Sequence, residues 1–337
     1  MSRFSTSGFA ALLLALLAAP GHLAGEAAVK PAPVWPAAPE QPRLAFLRNI
    51  SAPADLGIKP SSWARMGSLF TGIQKDQSRL QKPCGIAVDD EGNLCVTDTG
   101  NGSVCFFDLR RKKFRQWKKI GGIVLRSPVA VAKKRDTFLV ADSQLGAVLA
   151  FKDADHLLFS ITNPLARPVG LAFLSDHIFV ADSQLHSVVV FDWTGHFLFQ
   201  FGKRGVGAGE FNFPTHIASG PQGKLFVTDA MNSRVEIFDT LGRFQSAIGE
   251  RGDSSGHFTR PKGVATDSAG NVYVADALFD NLQIFDQSGR FLLDVGSTGS
   301  GPGQFWMPAG LAISSDNKLF VADSYNRRVQ VFQCIEP

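Results

Sequence analysis

The stretch PKGVATDSAGNVYVAD at residues 261–276 carries the strongest structural signal in the chain. A proline opens it, a run of small and apolar residues follows, and a Val-Ala-Asp triplet closes it after a turn at Gly270-Asn271. The same pattern occurs six times, beginning at Pro83, Pro128, Pro168, Pro214, Pro261 and Pro308 and ending at Asp98, Asp142, Asp182, Asp229, Asp276 and Asp323. The prolines recur every 40 to 47 residues. This period, without a helical pattern inside it, predicts the blades of a β-propeller rather than separate domains.

Each repeat divides into four short strands separated by turn residues. β-Branched and aromatic residues fill the strands, and Asx-Gly or Ser-Gly pairs lie between them. The first strand carries small residues, such as Gly263 and Ala265, which allow a neighbouring blade to approach closely. We therefore expect an all-β fold, a single six-bladed β-propeller of four-stranded antiparallel blades, with repeats starting near residues 83, 128, 168, 214, 261 and 308.

These repeats resemble the NHL repeat, whose consensus reads Pro-x-Gly-Ile-Ala-x-Asp, then Gly-x-Leu-Tyr-Val-Ala-Asp, then Asn-x-Arg-Val-x-x-Phe. The resemblance covers about residues 80–333 and is strongest at residues 83–108, 214–239, 261–286 and 308–332. It implies a six-bladed propeller. The recurrent Gly-His and Trp-Asp pairs of WD40 repeats and the recurrent Gly-Gly pair of kelch repeats are missing.

The last repeat stops after its third strand, near Phe332. Its outer edge would stay bare unless another segment supplies the fourth strand. The segment at residues 43–50 can do so by pairing with residues 329–332, which closes the ring and gives a propeller over residues 43–334. Helical spacing of apolar residues predicts a short helix at residues 60–71.

The N-terminal segment resembles an export signal. Arg3 precedes an apolar run from Phe9 to Ala19, which is too short to span a bilayer and is followed by small residues. We expect a signal peptide at residues 1–25, then a Pro- and Ala-rich extended tether at residues 26–42. The chain is therefore predicted to be exported and to be periplasmic, attached to the cell envelope or secreted, without a transmembrane segment.

The chain has four cysteines, Cys84, Cys95, Cys105 and Cys334. Their spacing does not indicate a metal site. An oxidising compartment would permit disulfides, and a pair between Cys95 and Cys105 stays open because the two lie on neighbouring predicted strands.

The axis of the ring is the usual place to look for an enzymatic site in a propeller. Only His216 occupies an inner-strand position among the histidines, and Lys262 follows the proline of the fifth repeat. Propeller lyases with NHL-like blades hold a metal through several convergent histidines, and no such set is visible. The repeated aspartates are expected to cap turns. The sequence therefore offers His216 and Lys262 as axial candidates and names no catalytic residue, metal or cofactor.

The most distinctive polar feature is a basic run at residues 110–119, near the predicted turn between the third and fourth strands of the first blade. A second cluster lies at the turn between the first and second strands of the next blade. In a propeller these two kinds of turn open onto one face, so the clusters are expected to form one basic surface or, alternatively, two solvated turns. Its residues are Arg110, Arg111, Lys112, Lys113, Arg115, Lys118, Lys119, Lys133, Lys134 and Arg135.

The sequence favours a binding protein over an enzyme. The expected molecule is a monomeric scaffold propeller that binds a protein or an anionic envelope component, and no nucleic-acid partner is expected for an exported chain. The alternative is a metal-dependent propeller lyase or hydrolase with an axial site near His216.

Overall fold

The computed structural model describes residues 32–59 and 78–335. Nearly all regular structure in these ranges is β-structure. The N-terminal part contains β1 (Val34–Trp35) and β2 (Leu44–Ile50), followed by a single 3-10 turn at Pro53–Leu56. No helix in residues 32–59 and 78–335 is long and apolar enough to cross a membrane.

Five blades are four-stranded antiparallel sheets formed by consecutive strands. Blade 1 contains β3 (Pro83–Val88), β4 (Leu94–Asp98), β5 (Ser103–Asp108) and β6 (Lys113–Trp117). A short hairpin of β7 (Lys119–Ile120) and β8 (Ile123–Val124) follows. Blade 2 contains β9 (Pro128–Lys134), β10 (Thr137–Asp142), β11 (Ala147–Phe151) and β12 (Leu157–Ile161).

The next three blades repeat this arrangement. Blade 3 contains β13 (Pro168–Leu174), β14 (His177–Asp182), β15 (Ser187–Asp192) and β16 (Phe197–Phe201). Blade 4 contains β17 (Pro214–Ser219), a 3-10 turn at Pro221–Gly223, β18 (Leu225–Asp229), β19 (Arg234–Phe238) and β20 (Phe244–Ile248). Blade 5 contains β21 (Pro261–Thr266), β22 (Val272–Asp276), β23 (Asn281–Phe285) and β24 (Phe291–Val295).

Blade 6 confirms the predicted ring closure. It combines β25 (Pro308–Ile313), β26 (Lys318–Asp323) and β27 (Arg328–Cys334) with the N-terminal strand β2, and β1 adds a fifth strand at its edge. Strands β2 and β27 are antiparallel, with Leu44 opposite Cys334 and Ile50 opposite Val329. The two ends of the described chain therefore meet in one sheet, and the outer edge of β27 is covered.

The core lies between neighbouring blades. Its six buried clusters each combine residues from two adjacent blades, and a fully buried phenylalanine near the end of the third strand recurs in every blade: Phe107, Phe151, Phe191, Phe238, Phe285 and Phe332. The first strands are innermost and contact one another around the ring. A Cβ at Gly310 would collide with the carbonyl of Cys84 in the next blade, so glycine permits this close approach.

The six repeated aspartates hold each blade together. All six side chains are fully buried: Asp98, Asp142, Asp182, Asp229, Asp276 and Asp323. In blade 2, Asp142 accepts hydrogen bonds from the backbone N–H groups of Arg126, Ser127, Gln144 and Leu145, at 2.7 to 3.1 Å. One carboxylate thus fixes both the turn after the second strand and the segment that enters the first strand.

Parts of the predicted N-terminal organisation lie outside the described residues, namely the signal peptide at residues 1–25 and the helix at residues 60–71. The predicted tether at residues 26–42 is described from residue 32 onward. There β1 pairs with β2, and the Trp35 ring packs against Gly303 and, at 5.8 Å between ring centroids, against Phe332. This part of the segment is therefore paired to blade 6 rather than extended as a free tether.

The strand register determines whether Cys95 and Cys105 can form a disulfide. Cys95 lies opposite Phe106, and Cys105 lies opposite Val96, so the two thiols are on opposite faces of the blade 1 sheet. They also belong to different core clusters, and all four cysteines are free in the structure. A disulfide between Cys95 and Cys105 is incompatible with this register.

One buried carboxyl group departs from the repeat pattern and makes stability depend on pH. At this position blades 5 and 6 have Gln283 and Gln330, whose side-chain amides donate to the carbonyl groups of His257 and Gln304. Blade 4 has Glu236, whose Oε1 accepts from the Gly209 N–H and whose buried Oε2 has no hydrogen-bond partner. Burial raises the pKa of Glu236 to about 7, although Arg234 opposes the shift.

Because this pKa is higher in the folded chain than in the unfolded chain, the contribution of Glu236 to stability is complete at low pH and is lost as the pH rises through about 7. We expect Glu236→Gln, which introduces the residue that blades 5 and 6 have at this position, to raise the free energy of unfolding at pH 8 by up to about 3 kcal/mol. Urea unfolding at pH 5 and pH 8 measures this difference. An equal effect of the substitution at both pH values would show that Glu236 does not titrate in this range.

Candidate functional site

The ring has two faces with different contents. The proline face is the end at which the inner strands begin, at Pro83, Pro128, Pro168, Pro214, Pro261 and Pro308, and it also carries the turns between second and third strands. The opposite face carries the turns between first and second strands and between third and fourth strands. The predicted basic clusters lie at turns of the opposite face, whereas the axial candidates lie near the proline face.

The structure brings part of the predicted basic surface together. Arg111, Arg115, Lys133 and Arg135 line one cleft of about 440 Å³ between blades 1 and 2. Arg110, Lys112 and Lys113 belong to or adjoin the same turn before β6. By contrast, Lys118 and Lys119 follow the end of this five-residue strand, and its length of about 16 Å separates them from that turn.

Lys133 forms the floor of this cleft with two aromatic rings. Its Nζ lies 2.7 Å from Oδ2 of Asp89, and 5.7 and 5.3 Å from the ring centroids of Phe106 and Phe138. Burial alone would raise the pKa of Asp89, but hydrogen bonds from Lys133 and Asn93 outweigh that effect and lower the pKa below its usual value. This buried ion pair joins blade 1 to blade 2.

Carboxylates compensate several other cations of the basic surface. Arg111 pairs with Asp108 at 3.3 Å, and Arg110 pairs with Glu91 at 3.6 Å. Lys134 leaves the cleft and faces blade 3, where its Nζ lies 5.3 Å from the Trp193 ring centroid and 3.8 Å from Asp176.

The remaining cations around the cleft do not form ion pairs with carboxylates in the described residues. Lys112 donates to the carbonyl of Leu56 at 3.2 Å. Within the described ranges, Lys113, Arg115 and Arg135 are exposed and have no ion-pair partner. We call these three side chains the cleft cations; the cleft lining also contains carboxylates, among them Asp90 and Asp136, but none of these described carboxylates forms an ion pair with the three side chains.

The axial candidates lie on neighbouring inner strands. His216 replaces the small residue that the other blades have two positions after the proline, and both of its ring nitrogens are buried without a hydrogen-bond partner. Burial, together with the charge of Lys262, lowers the pKa of His216 to about 3, so its ring is neutral at physiological pH. Burial also lowers the pKa of Lys262.

The structure supplies no metal-binding set around these residues. Among residues 32–59 and 78–335, no group of three or more His, Cys, Asp or Glu side chains is arranged to hold a metal ion. The nearby Cys84 thiol is kept protonated because burial raises its pKa. As they stand, His216 and Lys262 offer hydrogen-bonding groups and positive charge, not a metal centre.

Several polar and aromatic residues near the axis were not predicted from the sequence. Lys82 and Arg260 immediately precede their blade prolines, and Trp306 and Tyr325 are exposed beside them on the proline face. An alignment of the positions before each proline would have revealed the cations. The rings of Trp306 and Tyr325 pack together because the connection between blades 5 and 6 contacts a turn of blade 6. The repeat pattern does not predict this contact.

Family models match the first and last blades and the middle of the propeller. The NHL repeat model matches residues 80–107 and 305–332, and a model described as a 6-bladed beta-propeller matches residues 162–222 and 219–277. Together with the sheet topology, these matches show NHL repeats within a six-bladed propeller. None of the curated proteins matches the chain.

Solved structures share the fold at low sequence identity. A streptogramin B lyase has 9% identity and a TM-score of 0.58, with 76% of this chain and 94% of that chain covered. Virginiamycin B lyase from Staphylococcus aureus has 11% identity and a TM-score of 0.55, covering 76% and 96%. An auxiliary nutrient binding protein from Bacteroides thetaiotaomicron has 11% identity and a TM-score of 0.61, covering 75% and 69%. Because lyases and a binding protein appear together, this likeness shows the fold alone.

Proposed function

We propose that this NHL-repeat propeller is a non-enzymatic binding protein of the cell envelope or extracytoplasmic space, and that its cleft cations contact an anionic partner. The observation that carries the proposal is the position of Arg115 and Arg135 in the lining of one cleft, with Lys113 two residues before Arg115 on β6, all three exposed and without ion-pair partners in the described part of the chain. Uncompensated cations beside a concave surface attract anionic groups. Aromatic side chains below them offer apolar contact.

The location of this function rests on the N-terminal sequence alone. The charged start, short apolar run and small residues of residues 1–25 support export. An exported protein would meet acidic proteins, anionic lipid head groups or anionic polymers rather than nucleic acid. We therefore propose an anionic envelope component, protein or polymer, as the partner.

The alternative is an enzyme with an axial site near His216. The lyases among the structural neighbours make this alternative worth testing. The chain offers His216 without other histidines converging on it in the described ranges, which favours the binding function. Stoichiometric zinc or calcium in the purified protein, measured by plasma emission spectroscopy, would favour the lyase or hydrolase instead.

Affinity capture from an envelope fraction tests the binding function. The test variant carries Lys113→Gln, Arg115→Gln and Arg135→Gln, and a matched control carries Lys203→Gln, Arg243→Gln and Arg290→Gln on blades 3 to 5. The control removes the same charge from exposed surface ion pairs, which contribute little to stability. We expect the wild type and the control to capture a salt-sensitive component and the test variant to lose it. Equal capture by both variants would contradict the proposal.

A further inference from the structure

The axial end of the proline face contains a group of buried polar atoms without partners. Both ring nitrogens of His216 and the hydroxyl of Thr215 are buried and make no hydrogen bond within the described chain. The other blades have Gly85, Ala130, Gly170, Gly263 and Gly310 at the position of His216. Buried polar atoms are nearly always hydrogen-bonded, so adjacent exceptions indicate that something else completes this site.

Positive charge surrounds the same place. Lys262, on the inner strand of the next blade, has no carboxylate or hydrogen-bond partner among the described residues. Its pKa is lowered chiefly by burial and further by the positive charges of Arg260 and Lys82, while Cys84 and Tyr325 oppose the shift. Asp98 and Asp276 accept hydrogen bonds from the backbone N–H groups of Lys82 and Arg260, but within the described ranges neither carboxylate forms an ion pair with the side chain of Lys82, Arg260 or Lys262. An anion bound here would relieve the repulsion.

An exposed aromatic pair borders the charged site. Trp306 and Tyr325 are 51% and 46% exposed, and their ring centroids lie 5.4 Å apart. The Nζ of Lys82 lies 5.0 Å from the Tyr325 ring centroid. The Tyr325 N–H donates to the Trp306 carbonyl at 3.2 Å, which holds the two residues together. The pair gives the cationic site an apolar wall.

We propose that this axial site, formed by Thr215, His216, Lys262, Lys82, Trp306 and Tyr325, binds an organic anion that joins a carboxylate to an aromatic or similarly apolar group. The carboxylate contacts the Lys262 ammonium and accepts from the neutral His216 ring or the Thr215 hydroxyl. The apolar group packs against Trp306 and Tyr325. The site is on the other side of the ring from the cleft cations, so this inference is independent of the proposed function.

The test uses three small probes. Benzoate has both the carboxylate and the ring, benzamide has the ring without the charge, and acetate has the charge without the ring. N-acetylphenylalanine is added to distinguish the carboxyl terminus of a peptide from a free aromatic acid. Binding is followed by the side-chain signals of carbon-13-labelled histidine, in which His216 is one of seven histidines.

We expect saturable shifts of the His216 signal with benzoate, and roughly fivefold or greater weakening for benzamide and for acetate. Lys262→Met should weaken benzoate binding about tenfold, whereas Lys203→Met, an exposed lysine elsewhere, should have no effect. Trp306→Ala should weaken benzoate binding and leave acetate binding unchanged. If N-acetylphenylalanine binds more tightly than benzoate, the ligand is a peptide terminus; weaker binding indicates a free acid.

Two results would overturn the proposal. In the first, neither benzoate nor N-acetylphenylalanine shifts the His216 signal saturably, which would mean that solvent alone occupies the site. In the second, the Lys262→Met protein, shown to be folded by an unchanged histidine spectrum elsewhere, binds benzoate as tightly as the wild type.

Discussion

A chain that begins at residue 53 should lose most of its stability, because it lacks the strand that completes blade 6. Strand β2 covers the edge of β27 and contributes two side chains, Leu44 and Ile50, that are 0% and 2% exposed. Their burial alone stabilises the fold by about 3–6 kcal/mol. The bare edge of β27 would also be free to pair with another chain. Thermal unfolding should therefore show a sharply lower and less cooperative transition together with aggregation, relative to a chain that begins at residue 32.

Two controls separate loss of the strand from a general effect of truncation. A synthetic peptide of residues 42–51 should restore the transition of the truncated chain when added in excess. In the full chain, Leu44→Ala should cost about 2–5 kcal/mol, whereas Leu47→Ala, on the same strand but 42% exposed, should cost less than about 0.5 kcal/mol. An unchanged melting curve for the truncated chain would show that β2 does not close the ring.

The second large effect is expected for Asp142→Ala. This substitution leaves the backbone N–H groups of four residues around blade 2 without their acceptor. Lost charge-assisted hydrogen bonds of this kind should lower the free energy of unfolding by about 3 kcal/mol or more. Asp142→Asn keeps an acceptor oxygen but removes the charge. Its free energy of unfolding should lie between those of the wild type and Asp142→Ala.

Asp155→Ala serves as the matched control for this effect, because Asp155 lies on an exposed turn of the same blade. It should change stability by less than about 0.5 kcal/mol. Urea unfolding of the three variants measures the differences. If Asp142→Ala were no more destabilising than Asp155→Ala, the repeated aspartates would have to be explained by something other than blade structure.

The sequence allowed the ring and its closure to be predicted because both depend on local and repeated features. Six prolines and six aspartates mark the blades, and a missing fourth strand in the last repeat pointed to residues 43–50. The pairing of β1 was not predicted, because two residues show no periodicity and Trp35 is held by contacts with Gly303 and Phe332 from blade 6 and the loop before it. Such contacts appear only when distant segments are folded together.

The candidate sites were predicted less completely, because they also depend on contacts between segments that are distant in the sequence. Strand order predicts that the turn before β6 and the turn after β9 share a face, and Arg111 and Lys133 do line one cleft. It does not predict which cations carboxylates compensate, since that depends on side-chain positions such as Asp108 and Asp89. At the axis, His216 was visible as a departure from the repeat.

The salt dependence of binding tests the central claim most directly. Wild type, the Lys113→Gln, Arg115→Gln and Arg135→Gln variant, and the Lys203→Gln, Arg243→Gln and Arg290→Gln control are eluted from an immobilised anionic polymer with increasing sodium chloride. Exposed charges act together on one partner only when they lie within about 10 Å of it. The account therefore predicts that the first variant elutes at a clearly lower sodium chloride concentration than the control. Elution of both variants at the same salt concentration would contradict it.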